Sequence, residues 1–112
     1  MNNSGIEFLS APELSSLLSD KAAPGLQLLD VREPWEYELC HVSGSVHIPM
    51  GEIPSRLNEL DPDKPVACLC HHGVRSYQVA MYLKKQDFER VFNVEGGIDA
   101  WSRQVDPNCA TY

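Results

Sequence analysis

Short apolar runs alternate with helical patterns along the chain. Ile6-Glu7-Phe8-Leu9 alternates apolar and polar residues, which predicts a short first strand. Ser10-Ala11-Pro12-Glu13 follows as a capping box with a proline in the first helical turn. The leucines after it recur at helical spacing, so the sequence predicts a first helix that ends before Pro24-Gly25.

The rest of the chain continues this alternation of strands and helices. Apolar runs bounded by turn residues predict four more strands, at 26–31, 46–48, 66–70 and 91–94. Helices are predicted between and after them, at 34–39, 54–60, 76–86 and 98–101. Such an order predicts an α/β fold with a central, mostly parallel five-stranded sheet and helices on both faces. Ligands of these folds bind beyond the carboxyl ends of strands, and Cys70 lies at one such end.

Length and charge narrow the classes of function. A chain of 112 residues fits a single domain, with a core over about 6–103 and a polar tail over 104–112. No run of about 18 apolar residues and no signal peptide is visible, so we expect a cytoplasmic protein without a membrane partner. The net charge of −7 makes nucleic acid an unfavourable partner. A local cluster of backbone N–H groups can still bind a small anion.

The four cysteines, at positions 40, 68, 70 and 109, are predicted to be free thiols. This prediction rests on the missing signal peptide, because chains in reducing compartments seldom hold disulfides. Cys68 lies inside the apolar strand and is expected to be a buried sheet residue. Cys109 lies in the polar tail, where we expect a mobile thiol.

The strongest candidate for chemistry is the loop that begins at Cys70. A strand delivers the cysteine, Gly73 lets the chain curl, and a helix is predicted to begin near Ser76. Inward-pointing amides, the positive end of the helix and the charge of Arg75 would all favour a thiolate. We therefore predict that Cys70 is a nucleophile in an anion-binding loop. The residues predicted to bind the substrate there are His71, His72, Gly73, Val74, Arg75 and Ser76.

Several alternatives stay open for the residues around this loop. Arg75 could orient a donor anion or brace the loop. Asp30 and Arg32 end the neighbouring strand and are predicted to support the same pocket, although a structural ion pair is equally consistent. A metal site using Cys68, Cys70 and the two histidines is disfavoured, because the cysteines are spaced for a strand rather than a zinc-binding turn. We expect neither a metal nor a cofactor, since no cofactor-binding motif is present.

Residues 70–76 resemble the active-site loop of the rhodanese-like sulfurtransferases, whose motif is Cys-x-x-Gly-x-Arg followed by Ser or Thr. Three other segments resemble signatures of that family in the right order: 28–33, 40–49 and 95–101. The second departs from the usual pattern, because Cys40 replaces a glycine and Ser43 a proline. The resemblance extends from about residue 6 to Trp101 and implies a rhodanese-like fold.

The resemblance also implies a function. Members of this family take sulfane sulfur from a donor, hold it as a cysteine persulfide and pass it to a thiophilic acceptor. The implied donor is a small anion such as thiosulfate, or a persulfide. The implied acceptors are cyanide or a thiol, with thioredoxin or a persulfide-carrying protein as candidate partners. A non-catalytic binding or sulfur-carrier module is one alternative. A cysteine phosphatase or arsenate reductase is another, although related folds use Cys-x5-Arg for phosphate and this loop is Cys-x4-Arg.

Overall fold

The computed structural model describes residues 5–19 and 25–112, and five strands in these ranges form one sheet. The strands are β1 (Ile6–Leu9), β2 (Gln27–Asp30), β3 (Val46–His47), β4 (Val66–Leu69) and β5 (Val91–Val94). Their order is β1-β5-β4-β2-β3, and every pairing is parallel. The predicted α/β class and five-stranded sheet are confirmed. Since β4 lies at the centre, the chain leaves the sheet at Cys70 between the ends of β2 and β5.

In the described ranges, four α-helices and two 3₁₀ segments lie between and after these strands. The α-helices are α1 (Ala11–Ser19), α2 (Pro34–Leu39), α3 (Val74–Lys85) and α4 (Gly97–Gln104). The 3₁₀ segments are Met50–Glu52 and Pro54–Glu59, so the helix predicted at 54–60 is of the tighter type. The capping box of α1 is confirmed, because the Glu13 amide donates to Ser10 Oγ and the Ser10 amide donates to the Glu13 carboxylate. The predicted end of this helix before Pro24 lies outside the described residues.

Apolar side chains cover both faces of the sheet, as a central parallel sheet requires. Val79 and Leu83 of α3 pack on one face with Leu29 and Cys68. The other face is covered by α1 and α4, whose buried side chains include Leu14, Ile98 and Trp101. Successive residues of β2 and β4 alternate between the two faces. In the part of the chain that the structure describes, no helix is long and apolar enough to cross a membrane.

Two of the four cysteines contradict the free-thiol prediction. Cys40 and Cys109 form a disulfide between positions 69 residues apart. Cys109 is 3% exposed, so the expectation of a mobile thiol in the tail is also wrong. Only Cys68 and Cys70 are free, and both are buried. The disulfide holds the C-terminal segment against the turn after α2, which brings Tyr112 close to the end of the sheet.

Candidate functional site

The Cys70 sulfur lies inside the curl of its loop. Gly73, with a left-handed φ of 108°, lets the chain turn back so that its amide donates to Cys70 Sγ over 3.1 Å. Ser76 Oγ lies 3.2 Å from the same sulfur. The helix begins at Val74, two residues earlier than predicted, because Gly73 itself ends the loop. The sulfur is therefore held by one amide and one hydroxyl beside a helix N-terminus, and Cys70 is 1% exposed.

Asn93 is a site residue that the sequence analysis missed. It lies on β5 and is 4% exposed. Its Oδ1 accepts the hydroxyl of Ser76 over 2.5 Å, and its Nδ2 donates to the carbonyl of Gly73 over 3.0 Å. One side chain thus holds both the loop and the hydroxyl that contacts the sulfur. A signal existed, since Asn93 is the only polar residue in the strand Val91–Val94.

Arg75 braces the loop against α2. Its two guanidinium nitrogens donate to the two carboxylate oxygens of Glu36 over 2.7 and 2.9 Å. Tyr112 and the amide of Glu33 also donate to this carboxylate. The hydrogen bonds from Arg75 lower the pKa of Glu36 to about 2, against the opposing effect of burial. The same pair raises the pKa of Arg75, so both groups stay charged across the neutral range.

The predicted supporting residues Asp30 and Arg32 form a buried ion pair. Both side chains are fully buried, and the closest nitrogen and oxygen lie 2.8 Å apart. Arg32 also donates to the carbonyl of Glu36 over 3.1 Å and to the carbonyl of Cys40 over 2.6 Å. Arg32 therefore fastens the end of β2 to the middle of α2 and to the residue that follows it. The sequence analysis left open whether Asp30 and Arg32 line the pocket or form a structural ion pair, and the geometry is that of a structural ion pair.

Tyr112 joins the C-terminal segment to this network. Its hydroxyl donates to Glu36 over 2.7 Å and accepts from Arg32 over 3.1 Å. Its ring stacks on His71, with the centroids 4.0 Å apart, and Trp35 meets its edge. Burial raises the pKa of Tyr112 to about 12, which keeps its phenol neutral. Sequence reasoning assigned this segment to a polar tail, and no local pattern indicates these contacts.

The two loop histidines lie on the side of the loop that faces α4. Their rings stack, with centroids 3.9 Å apart, and burial followed by the nearby His72 lowers the pKa of His71. Among the described residues, His71 Nε2 is a buried polar atom without a hydrogen-bond partner. His71, His72 and Asp99 place one ligand atom each within 4.8 Å of one another. The Asp99 carboxylate of this group already accepts from Arg103 over 3.0 Å.

The first turn of α4 is hydrogen-bonded to the first two residues of the Cys70 loop. The Ile98 amide donates to the carbonyl of Cys70 over 2.8 Å, and the Asp99 amide donates to the carbonyl of His71 over 3.1 Å. Gly97 makes this approach possible, because a Cβ at that position would collide with both carbonyl oxygens. Beside the loop lies an open cleft of about 520 Å³, with Phe8, Gly73, Val74, Tyr77, Asn93 and Gly96 among its lining residues.

Comparisons with known proteins give one family model and several relatives and structures similar to this chain. The family model described as "Rhodanese-like domain" matches residues 10–104. A Bacillus subtilis relative named "Putative sulfur carrier protein YrkF" is 44% identical over 81 residues, which are 72% of this chain and 44% of that protein. The crystal structure of a rhodanese-like domain protein from Staphylococcus aureus superposes with a TM-score of 0.80 at 30% identity, covering 96% of this chain and 99% of that one. A NAD-dependent persulfide reductase from A. fulgidus gives 0.69 at 31% identity, covering 86% and 16%. The chain thus spans less than half the length of the Bacillus subtilis relative.

Proposed function

The chain belongs to the rhodanese-like domain family, and we propose that it is a sulfurtransferase that carries sulfane sulfur as a persulfide on Cys70. The observation that carries the proposal is the loop geometry around this sulfur. Cys70 directly follows the central strand, the Gly73 amide donates to its sulfur, and α3 begins immediately after Gly73. An amide donor and a helix N-terminus both stabilise negative charge on sulfur.

In the proposed reaction Cys70 acts as a thiolate nucleophile. It attacks the outer sulfur of the donor, the sulfur–sulfur bond forms, and the bond from that sulfur to the rest of the donor breaks. With thiosulfate the leaving group is sulfite, which takes the bonding electron pair. The acceptor then attacks the outer sulfur of the persulfide, and the Cys70 thiolate leaves. The loop amides stabilise the charge of the persulfide as an oxyanion hole stabilises an oxyanion.

Charge near the loop favours a persulfide donor over thiosulfate. A dianion such as thiosulfate benefits most from unpaired cations, but Arg75 is committed to Glu36 and Arg103 to Asp99. The lowered pKa of His71 keeps that ring neutral at neutral pH. The reacting persulfide group carries a single negative charge at most, so it requires less positive charge beside the Cys70 sulfur than the thiosulfate dianion does. The persulfide reductase with a similar fold uses the same class of substrate by its name.

The acceptor is proposed to be a thiol, either a small molecule or a protein such as thioredoxin, with cyanide as a chemical substitute. Access to the sulfur requires movement of the loop or of its cover, since Cys70 is 1% exposed. The open cleft beside Gly73 and Val74 is wide enough for a small thiol or for a side chain of a partner. A cytoplasmic location is also part of the proposal. Reduced Cys40 and Cys109 in cells would support it, whereas a disulfide between them in cells would argue against it.

The test is mass spectrometry of the intact chain after incubation with a glutathione persulfide or with thiosulfate. We expect a gain of one sulfur atom that cyanide removes, larger with the persulfide at equal concentration. Peptide mapping should locate it at Cys70, and Cys70→Ser should abolish it. Cys68→Ser is the matched control, because Cys68 is the other free thiol and burial raises its pKa.

Three outcomes would decide against parts of the proposal. No added sulfur on folded protein with either donor would reject sulfur transfer and favour a binding module. Stable persulfide that no thiol acceptor removes would indicate a carrier rather than an enzyme. Hydrolysis of p-nitrophenyl phosphate that depends on Cys70 would favour the phosphatase alternative.

A further inference from the structure

The groups around Cys70 close a ring of hydrogen bonds. Gly73 N–H donates to Cys70 Sγ, and Asn93 Nδ2–H donates to the carbonyl of Gly73. Ser76 O–H donates to Asn93 Oδ1 over 2.5 Å, and Cys70 Sγ lies 3.2 Å from Ser76 Oγ. Only the direction of the contact between Cys70 and Ser76 is left open by the positions of the atoms.

Counting protons settles that direction for the resting thiol. The Asn93 amide is oriented, because its nitrogen must face the carbonyl of Gly73 and its oxygen therefore faces Ser76. Ser76 has a single hydroxyl proton, and Asn93 Oδ1 accepts it. Ser76 can then only accept from Cys70, so the S–H donates to Ser76 Oγ. All four bonds point the same way around the ring, an arrangement in which each bond strengthens the next.

We infer that Asn93 is a positioning residue for Cys70, which fixes the Ser76 hydroxyl as an acceptor and so orients the S–H bond of the Cys70 thiol toward Ser76 Oγ. This inference rests on the proposed role of Cys70 as the sulfur-carrying residue. An anionic sulfur, thiolate or persulfide, reverses the requirement, because it needs a donor where the thiol needed an acceptor. While Asn93 Oδ1 holds the Ser76 proton, Ser76 cannot supply that donor, and its oxygen presents a lone pair to an anionic sulfur.

The ring is shielded from water, and substitutions within it leave the charges around the sulfur unchanged. Every member is nearly or fully buried apart from Gly73, so water does not readily supply a substitute partner. Two ionisable groups whose charge interacts with Cys70 are Cys68 on β4 and Arg75 on α3. Burial keeps Cys68 neutral, and Arg75 remains paired with Glu36 on α2. Substitutions at Ser76 or Asn93 therefore change the hydrogen bonds to the sulfur without changing a charge.

The ring and a simple donor role of Ser76 predict opposite effects of Ser76→Ala on the pH midpoint of thiolate formation. Removing an acceptor from a thiol favours the thiolate, whereas removing a donor from a thiolate disfavours it. Ser76→Ala should thus lower the pH midpoint of thiolate formation, by about one unit for one hydrogen bond. In the Asn93→Leu background the hydroxyl is free to donate to the sulfur, so adding Ser76→Ala should raise the midpoint by a similar amount. A merely structural role of Asn93 gives no such reversal.

The experiment follows thiolate absorbance in the ultraviolet against pH, with the signal of Cys70→Ser subtracted. Circular dichroism establishes that each variant is folded over the range used. A lower midpoint for Ser76→Ala together with the reversal supports the ring. An unchanged or higher midpoint for Ser76→Ala overturns it. Because the assay needs no sulfur donor, this result is separate from success or failure of sulfur transfer.

A second measurement uses the parent chain and therefore does not depend on the variants folding. The infrared S–H stretch of Cys70, assigned by its loss in Cys70→Ser, should lie at lower frequency than that of a thiol that makes no hydrogen bond. Ser76→Ala should move the band back to the higher frequency. A Cys70 band already at the free-thiol frequency in the parent chain would overturn the proposed direction of the ring.

Discussion

The ionised carboxylate of Glu36 should stabilise the fold at neutral pH and lose this effect in acid. Substitution of Glu36 by glutamine isolates its contribution. The group is 3% exposed and accepts four hydrogen bonds, two of them from Arg75. These contacts lower its pKa from 4.5 to about 2. A folded-state pKa below the unfolded one gives stability that is present above pH 4.5 and is lost as the pH falls towards 2.

The magnitude follows from the shift. A difference of about 2.5 units between the folded and unfolded pKa corresponds to about 3 kcal/mol of unfolding free energy at pH 7. At pH 3 most of the unfolded chains and only a minority of the folded ones are protonated at this group, so about 1.4 kcal/mol remains. Glu36→Gln removes the titration altogether. The difference in stability between the parent chain and this variant should therefore shrink by about 2 kcal/mol from pH 7 to pH 3.

Urea unfolding followed by tryptophan fluorescence at the two pH values measures this difference. Other carboxylates titrate equally in both proteins, so their contributions cancel in the comparison. Glu59→Gln is the matched control, because Glu59 also pairs with an arginine but on the exposed surface. Its difference from the parent chain should change much less with pH. Equal differences at pH 7 and pH 3 for Glu36→Gln would refute the assignment of the pKa to the contact with Arg75.

Three further predictions concern the tail, the loop support and the phenol. Cys40→Ser should lower the unfolding free energy by about 4 kcal/mol, the chain-entropy value for a loop of this length. Reductant should destabilise the parent chain but not the variant, and a parent chain whose stability does not change with reductant would contradict the prediction. Gly97→Ala should cost about 3 kcal/mol or more in unfolding free energy, because its Cβ meets the Cys70 carbonyl, whereas Gly51→Ala, in open space, should change it little. Tyr112→Phe should be less stable than the parent chain, and this difference in unfolding free energy should shrink as the pH rises from 10 to about 12. The reason is that the raised pKa of the phenol stabilises the fold fully only below that range. A difference that stays constant in alkaline urea titrations would argue against the buried contact.

The strands could be recognised from sequence because each is a short apolar run between turn residues. Val66–Leu69 is buried at every position, which is what an uninterrupted apolar run indicates. The start of α3 was displaced from Ser76 to Val74 for a local reason. Val74 is 69% exposed, so it contributes nothing to the apolar stripe from which the helix was predicted. Helix ends depend on backbone geometry, here the left-handed Gly73, more than on hydrophobic spacing.

The parts of the site that escaped sequence analysis join residues far apart in the chain. Arg75 and Glu36 are 39 positions apart, and Tyr112 lies 76 positions from Glu36. No periodicity relates such positions, so the pairing of Arg75 could not be decided between donor binding and bracing. The disulfide is a similar case, since the connectivity of cysteines is not encoded in their spacing. Asn93 differs, because a lone polar residue in a buried strand needs a partner and can be flagged in advance.

Glu36 connects the tail to the loop that follows Cys70, so substitutions at Glu36 and Tyr112 should not act independently. Its Oε2 accepts from both Tyr112 and Arg75, and the Tyr112 hydroxyl accepts from Arg32, so these side chains belong to one hydrogen-bonded network. Effects of substitutions within one hydrogen-bonded network do not add. The destabilisation by Tyr112→Phe should accordingly be smaller in the Glu36→Gln background than in the parent chain, by about 0.5 kcal/mol or more. Reduction of the disulfide should resemble Tyr112→Phe in this respect, because it releases the segment that carries the phenol. If the two substitutions instead add fully, Tyr112 stabilises the tail without reaching Glu36, and the tail has no influence on the loop through this carboxylate.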